Sequence, residues 1–218
     1  MLLVETFPVG DFECNCSIIA CGDTKEAIVV DPGGDPDRIL DVIRHYDLTV
    51  KWAVHTHAHL DHIAATRDVK EATGATIALH RDDTFLYDGF SMQAKMFGWT
   101  VRPVLPVEHW LEDGQTISFG KRGTRVLFTP GHTPGSCCFH LVDEAQREEL
   151  LFSGDTLFAR SIGRTDLPGG DFPTIEKSIR ERLYTLSPDA KVIPGHGPPT
   201  TIGDEATRNP FVRAGKGF

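Results

Sequence analysis

The stretch Thr56-His57-Ala58-His59-Leu60-Asp61-His62 sets three histidines and an aspartate within six positions, directly after the apolar run Trp52-Ala53-Val54. Imidazole is the commonest metal-binding side chain, and here it repeats at close spacing. In extended chain leaving a sheet, side chains two apart share a face, so His57 and His59 are set to grip one ion. Asp61 and His62 are adjacent and converge only if the chain turns. Ile63-Ala64-Ala65-Thr66 reads as the opening of a helix, and that turn would aim both at a neighbouring second ion. The competing reading is a polar loop in which Asp61 caps the helix.

Three more polar residues stand where strands should run out into loops, the places where a scaffold presents functional side chains. His132 lies in Thr129-Pro130-Gly131-His132-Thr133-Pro134-Gly135, whose glycines let backbone approach an ion closely. Asp155 follows the apolar Leu151-Phe152-Ser153-Gly154, and a carboxylate ending such a strand needs a partner. His196 sits in Ile193-Pro194-Gly195-His196-Gly197. The remaining histidines, His45, His55, His80, His109 and His140, have no such context and are read as structural.

Elements must carry these residues. Short apolar runs bounded by Gly, Pro or Asp predict strands at Leu3-Phe7, Cys16-Ala20, Ala27-Val30, Trp52-His55 and Thr76-Leu79, the first three antiparallel. Further strands are expected at Gln115-Phe119, Arg125-Phe128, Cys137-Leu141, Leu150-Phe152 and Lys191-Ile193. Asp35-Pro36 opens a helix with buried-face spacing at Ile39, Leu40, Ile43 and Tyr46. Ala65, Val69 and Ala72 continue at helical spacing to a stop at Gly74. Phe172 to Leu186 is the clearest helix, with Ile175, Ile179, Leu183 and Leu186 on one side. Residues 80–107 are apolar but aperiodic and read as a lid, a substrate wall or a loosely packed surface helix. Strands in both halves with interspersed helices predict two sheets packed together and covered outside by helices.

Bulk properties exclude several classes. The chain has 218 residues, 40% hydrophobic and 24% charged, as expected of a globular protein. A formal net charge of -9 without a basic run argues against nucleic-acid binding. No charged leader or long apolar segment is present, so neither a signal peptide nor a membrane span is expected, and the cytoplasm is the default location. Five cysteines without a Cys-x-x-Cys spacing predict buried reduced thiols, with Cys137 and Cys138 on opposite faces of a strand. No linker divides residues 1–218, which are expected to form a single domain. Oligomeric state leaves no mark in the sequence.

Taken together, the His-x-His-x-Asp-His block at 57–62 with His132, Asp155 and His196 in order resembles the metallo-beta-lactamase fold superfamily over essentially the whole chain. The resemblance implies a four-layer αββα sandwich of the α/β class with the site at one edge of the paired sheets. It also implies that His57, His59 and His132 bind one metal, that Asp61, His62 and His196 bind another, and that Asp155 bridges them. Lactamases of this superfamily lack a bridging aspartate at the position of Asp155, which disfavours antibiotic hydrolysis. Asp155-Thr156-Leu157-Phe158, Ile162-Gly163-Arg164-Thr165-Asp166-Leu167-Pro168-Gly169-Gly170 and the ending around Gly195-His196-Gly197 and Asn209-Pro210-Phe211 resemble short bacterial glyoxalase II. The C-terminal helical domain of longer glyoxalase II enzymes, which helps to hold glutathione, is not expected here. Arg164 stands where those enzymes hold glutathione with lysine, and it either binds a substrate carboxylate or pairs with Asp166 or Asp171.

A nitrogen and oxygen ligand set without thiolate suits zinc, iron(II) or manganese, with zinc the first choice and one or both positions filled. A bound metal lowers the pKa of water from about 15.7 to about 7, a gain of roughly 12 kcal/mol in hydroxide availability. The expected reaction is attack of metal-bound hydroxide, oriented by Asp61, on a thioester such as S-lactoylglutathione. A thiol of pKa about 8.5 then leaves without a general acid. Two alternatives stand beside it. One is a mononuclear iron persulfide dioxygenase using His57, His132 and Asp155, a related subgroup sharing the Gly163-Arg164-Thr165-Asp166 run. The other is a non-catalytic metal-binding protein of the same fold.

Overall fold

The computed structural model describes residues 1–214, so the end of the expected 1–218 domain lies outside the described residues. The first sheet begins as an antiparallel meander of β1 (Leu2–Val9), β2 (Cys14–Cys21) and β3 (Glu26–Val30). Helix α1 (Pro36–His45) then crosses over to β4 (Thr49–Val54), which pairs parallel with β3. Asp35 takes the N-cap position in a left-handed conformation without a capping bond, and its carboxylate instead accepts the Gly10 amide. The short α2 (Leu60–Ile63) and α3 (Thr66–Thr73) lead to β5 (Thr76–His80). Gly74, at φ +75°, ends α3 as the sequence predicts. Helices α4 (Thr84–Asp88) and α5 (Phe90–Met96) connect β5 to the parallel edge strand β6 (His109–Leu111).

The second sheet contains β7 (Thr116–Phe119), β8 (Arg122–Phe128), β9 (Cys137–Asp143) and β10 (Glu148–Gly154), all antiparallel neighbours. A small hairpin of β11 (Leu157–Phe158) and β12 (Ser161–Ile162) precedes α6 (Phe172–Ser178), which continues as a π turn through Ile179–Leu183. The Tyr184 amide closes that turn onto the Ile179 carbonyl at 2.9 Å. Strand β13 (Lys191–Pro194) pairs parallel with β10, β14 (Thr200–Thr201) closes the sheet edge, and α7 (Ile202–Arg208) follows.

The layers follow from side-chain alternation. Ile19, Ile28 and Val54 face Val126, Phe139 and Phe152 between the sheets. Ile18, Val29 and Ala53 point the other way, onto Ile39 and Ile43 of α1 and Val69 of α3. Leu127, Cys138 and Leu151 likewise pack against Ile175, Ile179 and Leu183. Strands apolar on both faces belong in the middle of such a stack, and the architecture is the four-layer αββα sandwich. Cys137 and Cys138 do face opposite layers, and all five cysteines are buried and unpaired. Among the described residues, no helix is long and apolar enough to cross a membrane.

Two local expectations change. The helix after the histidine stretch opens at Leu60 rather than near Ile63, with His59 and not Asp61 at the cap position, and it breaks before restarting at Thr66. Residues 80–107 are not a loose surface helix: α4 and α5 bury Leu86, Tyr87 and Phe90 against Ile77 and Leu79 of β5.

Candidate metal centre

Strands β3, β4, β8, β10 and β13 all end at the same edge of the sandwich. Within the first sheet β3 and β4 are parallel; in the second, β8 and β10 both oppose β9, and β13 follows β10. Backbone bonds sew the two sheets together there: Cys137 N donates to Thr56 O at 2.7 Å and Asn15 N to Gly195 O at 2.7 Å. The packing is tight enough that a Cβ on Gly195 would stand 2.2 Å from Asp155 Oδ1.

All seven residues singled out from sequence converge at this edge. His57, His59 and His132 form one group, Asp61, His62 and His196 a second, and His57, His62 and Asp155 a third that joins them. Within each group the candidate ligand atoms lie within 4.8 Å of one another. Asp155 faces both halves with different oxygens, Oδ2 at 3.5 Å from His132 Nε2 and Oδ1 at 3.4 Å from His62 Nε2. Two imidazole pairs point nitrogen at nitrogen: His59 Nδ1 and His132 Nε2 at 2.9 Å, and His62 Nε2 and His196 Nε2 at 3.3 Å. Two nitrogens on a tetrahedral ion at about 2.0–2.1 Å stand about 3.3 Å apart, so the spacing fits shared cations. His57 Nε2 and Asp155 Oδ1 are buried without any hydrogen-bond partner. Each orphan of this kind costs about 1–3 kcal/mol unless something satisfies it. The cluster is compatible with a dinuclear site of nitrogen and oxygen ligands. The other five histidines belong to no such group among the described residues.

The family profile of the metallo-beta-lactamase superfamily matches residues 9–196. The chain belongs to that superfamily. It is 38% identical to a hydroxyacylglutathione hydrolase, GloC, of Haemophilus influenzae, over 97% of this chain and 98% of the relative. Among solved structures it resembles BLEG-1, a B3 metallo-beta-lactamase, with a TM-score of 0.87 and 34% identity, covering 96% of this chain and 99% of that one. It also resembles TTHA1623 in a di-iron-bound form, with a TM-score of 0.83 and 37% identity, covering 95% and 100%.

In this member of the metallo-beta-lactamase superfamily the inward-facing nitrogens of His57, His62, His132 and His196 are set by partners on the far side of the ring, the usual arrangement of metal-binding histidines. His62 Nδ1 meets Asp31 Oδ2 at 3.0 Å, His132 Nδ1 donates to Arg164 O at 2.8 Å, and His196 Nδ1 donates to Phe12 O at 3.0 Å. The Thr56 hydroxyl donates to Asp31 Oδ2, so its oxygen accepts from His57 Nδ1 and leaves Nε2 as the lone pair facing inward. Asp83, fully buried, accepts from Ala58 N, Gly135 N and Thr133 Oγ1, tying the His57–His59 loop to the His132 loop.

Electrostatics divide the rings, lowering His57 and His59 while His62 and His196 are raised by the acids beside them against the opposing effect of burial. Burial, with the neighbouring imidazoles, drives His57 well below the ordinary histidine pKa and His59 down to about 3, so both present neutral lone pairs. Burial opposes ionisation of Asp155, but His62, His132 and His196 outweigh it and hold the carboxyl well below the usual range. Burial also opposes charge on His62, yet the net shift is upward. Cys14 beside it is pushed up to about 12 by burial and is a neutral thiol, so the lift comes from Asp155, Asp61 and Asp31.

Beside the cluster a cavity of about 320 Å³ is bordered by His59, Asp61, His132 and Asp155 on one side and by Phe12, Leu86, Met96 and Phe97 on another. Residues 80–107 thus supply one wall of the cavity beside the cluster. Arg164 borders this cavity, with its guanidinium forked onto Asp166 at 2.7 and 2.8 Å, the ion-pair alternative of the two expected for it. A larger cleft, about 550 Å³, runs between β1 and β13 and contains none of the seven site side chains. Sequence reasoning missed Asp31 and Asp83. Asp31 had a usable signal, since it ends the apolar β3 much as Asp155 ends β10.

Proposed function

We propose that the chain is a metal-dependent thioester hydrolase of the hydroxyacylglutathione hydrolase kind. The hydrolytic half of this reading rests on one observation, the Asp155 carboxylate set between two histidine groups whose ring nitrogens face each other. The thioester half is supported by the full-length similarity to the Haemophilus relative. His57, His59 and His132 would hold one divalent cation, Asp61, His62 and His196 a second, and Asp155 both, zinc being the first choice and iron supported by the di-iron neighbour.

Divalent cations supply Lewis acidity toward a carbonyl oxygen and lower the pKa of water. The chain's own residues do the rest. Asp61 turns Oδ2 toward His196 Nε2 at 3.1 Å. Its carboxylate also borders the cavity, where the other oxygen can accept a hydrogen bond from an incoming water and aim the water's lone pair at the substrate. Asp61 stays ionised for this role: burial alone would raise its pKa, but His62 and His196 bring it below the usual value. A thiolate leaves unaided because its conjugate acid has a pKa of about 8.5.

The test is metal analysis of the purified chain beside a panel of S-lactoylglutathione, a cephalosporin, a lactone, a phosphodiester and a glutathione persulfide with oxygen uptake. Thioester turnover that exceeds the others and disappears with chelator is expected. The BLEG-1 likeness favours a second reading, β-lactam hydrolysis, despite the contrary expectation from Asp155. Cephalosporin turnover without thioester turnover would select it, and oxygen uptake would select the dioxygenase. Background rates on the whole panel with both ions bound would select the non-catalytic reading.

A further inference from the structure

We infer that Phe12 is a positioning residue for the second cation. Its ring is clamped by Phe97 and Trp99, which follow α5, and the clamp fixes the Phe12 carbonyl that turns His196 toward the ion. This rests on His196 being a ligand of that cation and goes beyond it by naming what holds the ring. The orienting contacts behind the histidines are unequal. Asp31, behind His62, and Thr56, behind His57, are both buried. His196 is 29% exposed, and the carbonyl that takes its Nδ1 hydrogen belongs to a surface turn. Phe12 lies between the end of β1 at Val9 and the start of β2 at Cys14, so the pairing of those strands does not fix its carbonyl.

The base of the turn is well held. Asn15 Nδ2 donates to Pro194 O and to Gly197 O, each at 2.9 Å, and Asn15 N donates to Gly195 O at 2.7 Å, so β2 brackets the His196 loop. On the other side Gly10 N donates to Asp35 Oδ2 at 2.9 Å. The tip reaches beyond these bonds, and there the side chain takes over. Phe12 meets Phe97 edge-on at 5.0 Å between ring centroids and Trp99 at 5.6 Å, with Phe97 and Trp99 6.2 Å apart. Trp99 in turn packs on the cluster of Leu86, Tyr87 and Phe90, and its amide donates to Ala94 O at 3.0 Å. Aromatic pairs of this geometry favour one arrangement by more than their buried area alone. The Phe12 ring is thus tied to the wall of the cavity while the carbonyl of the same residue is tied to the metal centre. An orienting partner of a metal-bound histidine commonly carries about 10- to 100-fold in metal affinity.

The test is stepwise zinc binding to the full chain by chelator competition, with His196→Ala marking the step that belongs to the second cation. Phe12→Ala should weaken that step by about tenfold or more and leave the other within about twofold. Phe97→Ala, which leaves the turn itself intact, should weaken the same step by about threefold or more. Phe12→Tyr keeps the ring and should bind as the wild type does. Phe12 is 38% exposed and Phe97 51% exposed, so the melting temperature of the metal-free variants should move little. In the cobalt-loaded chain the paramagnetically shifted Nδ1 proton of His196 should exchange with water faster in Phe97→Ala than in the wild type, the other histidine protons keeping their rates. An unchanged second step in both alanine variants, equal weakening of both steps, or a loss in Phe12→Tyr as large as in Phe12→Ala overturns this inference alone. A single binding step in the wild type, or both steps retained by His196→Ala, overturns the two-cation reading and this inference with it.

Discussion

Replacing Gly195 with alanine should break the centre while leaving the fold in place. Its backbone is not in the left-handed region, so a Cβ adds bulk without adding backbone strain. That Cβ would sit 2.2 Å from Asp155 Oδ1 and 2.8 Å from His62 Cε1. Real Cβ atoms keep at least about 3.0 Å, so the carboxylate oxygen must retreat by about 0.8 Å. Metal ligands tolerate about 0.2 Å before affinity suffers, and a misplacement of about 1 Å costs on the order of 100-fold in rate, about 2.7 kcal/mol. Gly195→Ala is therefore expected to lose metal and about 100-fold in kcat/KM, with a stability loss of about 1–3 kcal/mol from overpacking. Gly197→Ala is the control. Gly197 has φ +74°, and a Cβ there would meet nothing within 4 Å, so strain of about 1–2 kcal/mol should appear in the melting temperature with metal content unchanged. Plasma mass spectrometry of both variants, beside thermal melts, decides the matter. Full metal occupancy in Gly195→Ala, or equal metal loss in both variants, would refute the placement of Asp155 against this glycine.

Asp31→Asn removes a carboxylate that accepts from Thr56 N, Thr56 Oγ1 and His62 Nδ1, and it should weaken metal binding by about 10- to 100-fold in a chelator competition; unchanged affinity would count against the orienting role. Asp83→Ala leaves the buried Ala58 and Gly135 amides unpaired and should cost about 2–5 kcal/mol by urea denaturation, so an unshifted midpoint would contradict the loop tie. The Arg164 fork holds the Asp166 carboxyl down at about 2, and Arg164→Ala should return it toward about 3.9 in an NMR titration. Because the folded pKa is depressed, any stability from this pair is present above the ordinary carboxylate pKa and fades as pH falls toward about 2. The pair is exposed, so the melting temperature of Arg164→Ala at neutral pH should barely move.

Much of the sandwich is legible because its central strands are apolar on both faces and end in Gly, Pro or Asp. β2, β3, β9 and β10 all fall where those runs predict them. Strands β6, β11, β12 and β14 are two or three residues long, and pairing partners define them rather than propensity: Thr200 and Thr201 become a strand by lying against Val192 and Lys191. Residues 80–107 resisted reading for a different reason. Their apolar side chains serve two surfaces at once, Leu86, Tyr87 and Phe90 facing the core while Met92, Met96 and Phe97 face solvent, so no single helical period survives.

Asp31 and Asp155 show where local pattern stops being informative. Each is a carboxylate ending an apolar strand at the same edge of the sandwich, and an acid so placed needs a partner, although from the sequence that consequence is drawn for Asp155 alone. Their partners differ because the sheets differ. Asp155 leaves β10 in the second sheet and reaches His62 and His132 from the inward side, where both rings turn their Nε2 atoms. Asp31 leaves β3 in the first sheet, beside β4, and meets the same His62 ring from behind, at Nδ1. One imidazole thus separates the two carboxylates, and the ring nitrogen each one meets sets Asp155 on the cluster side and Asp31 behind the ring. That distinction is a property of how two sheets are offset across their interface, which no window of sequence around either aspartate contains.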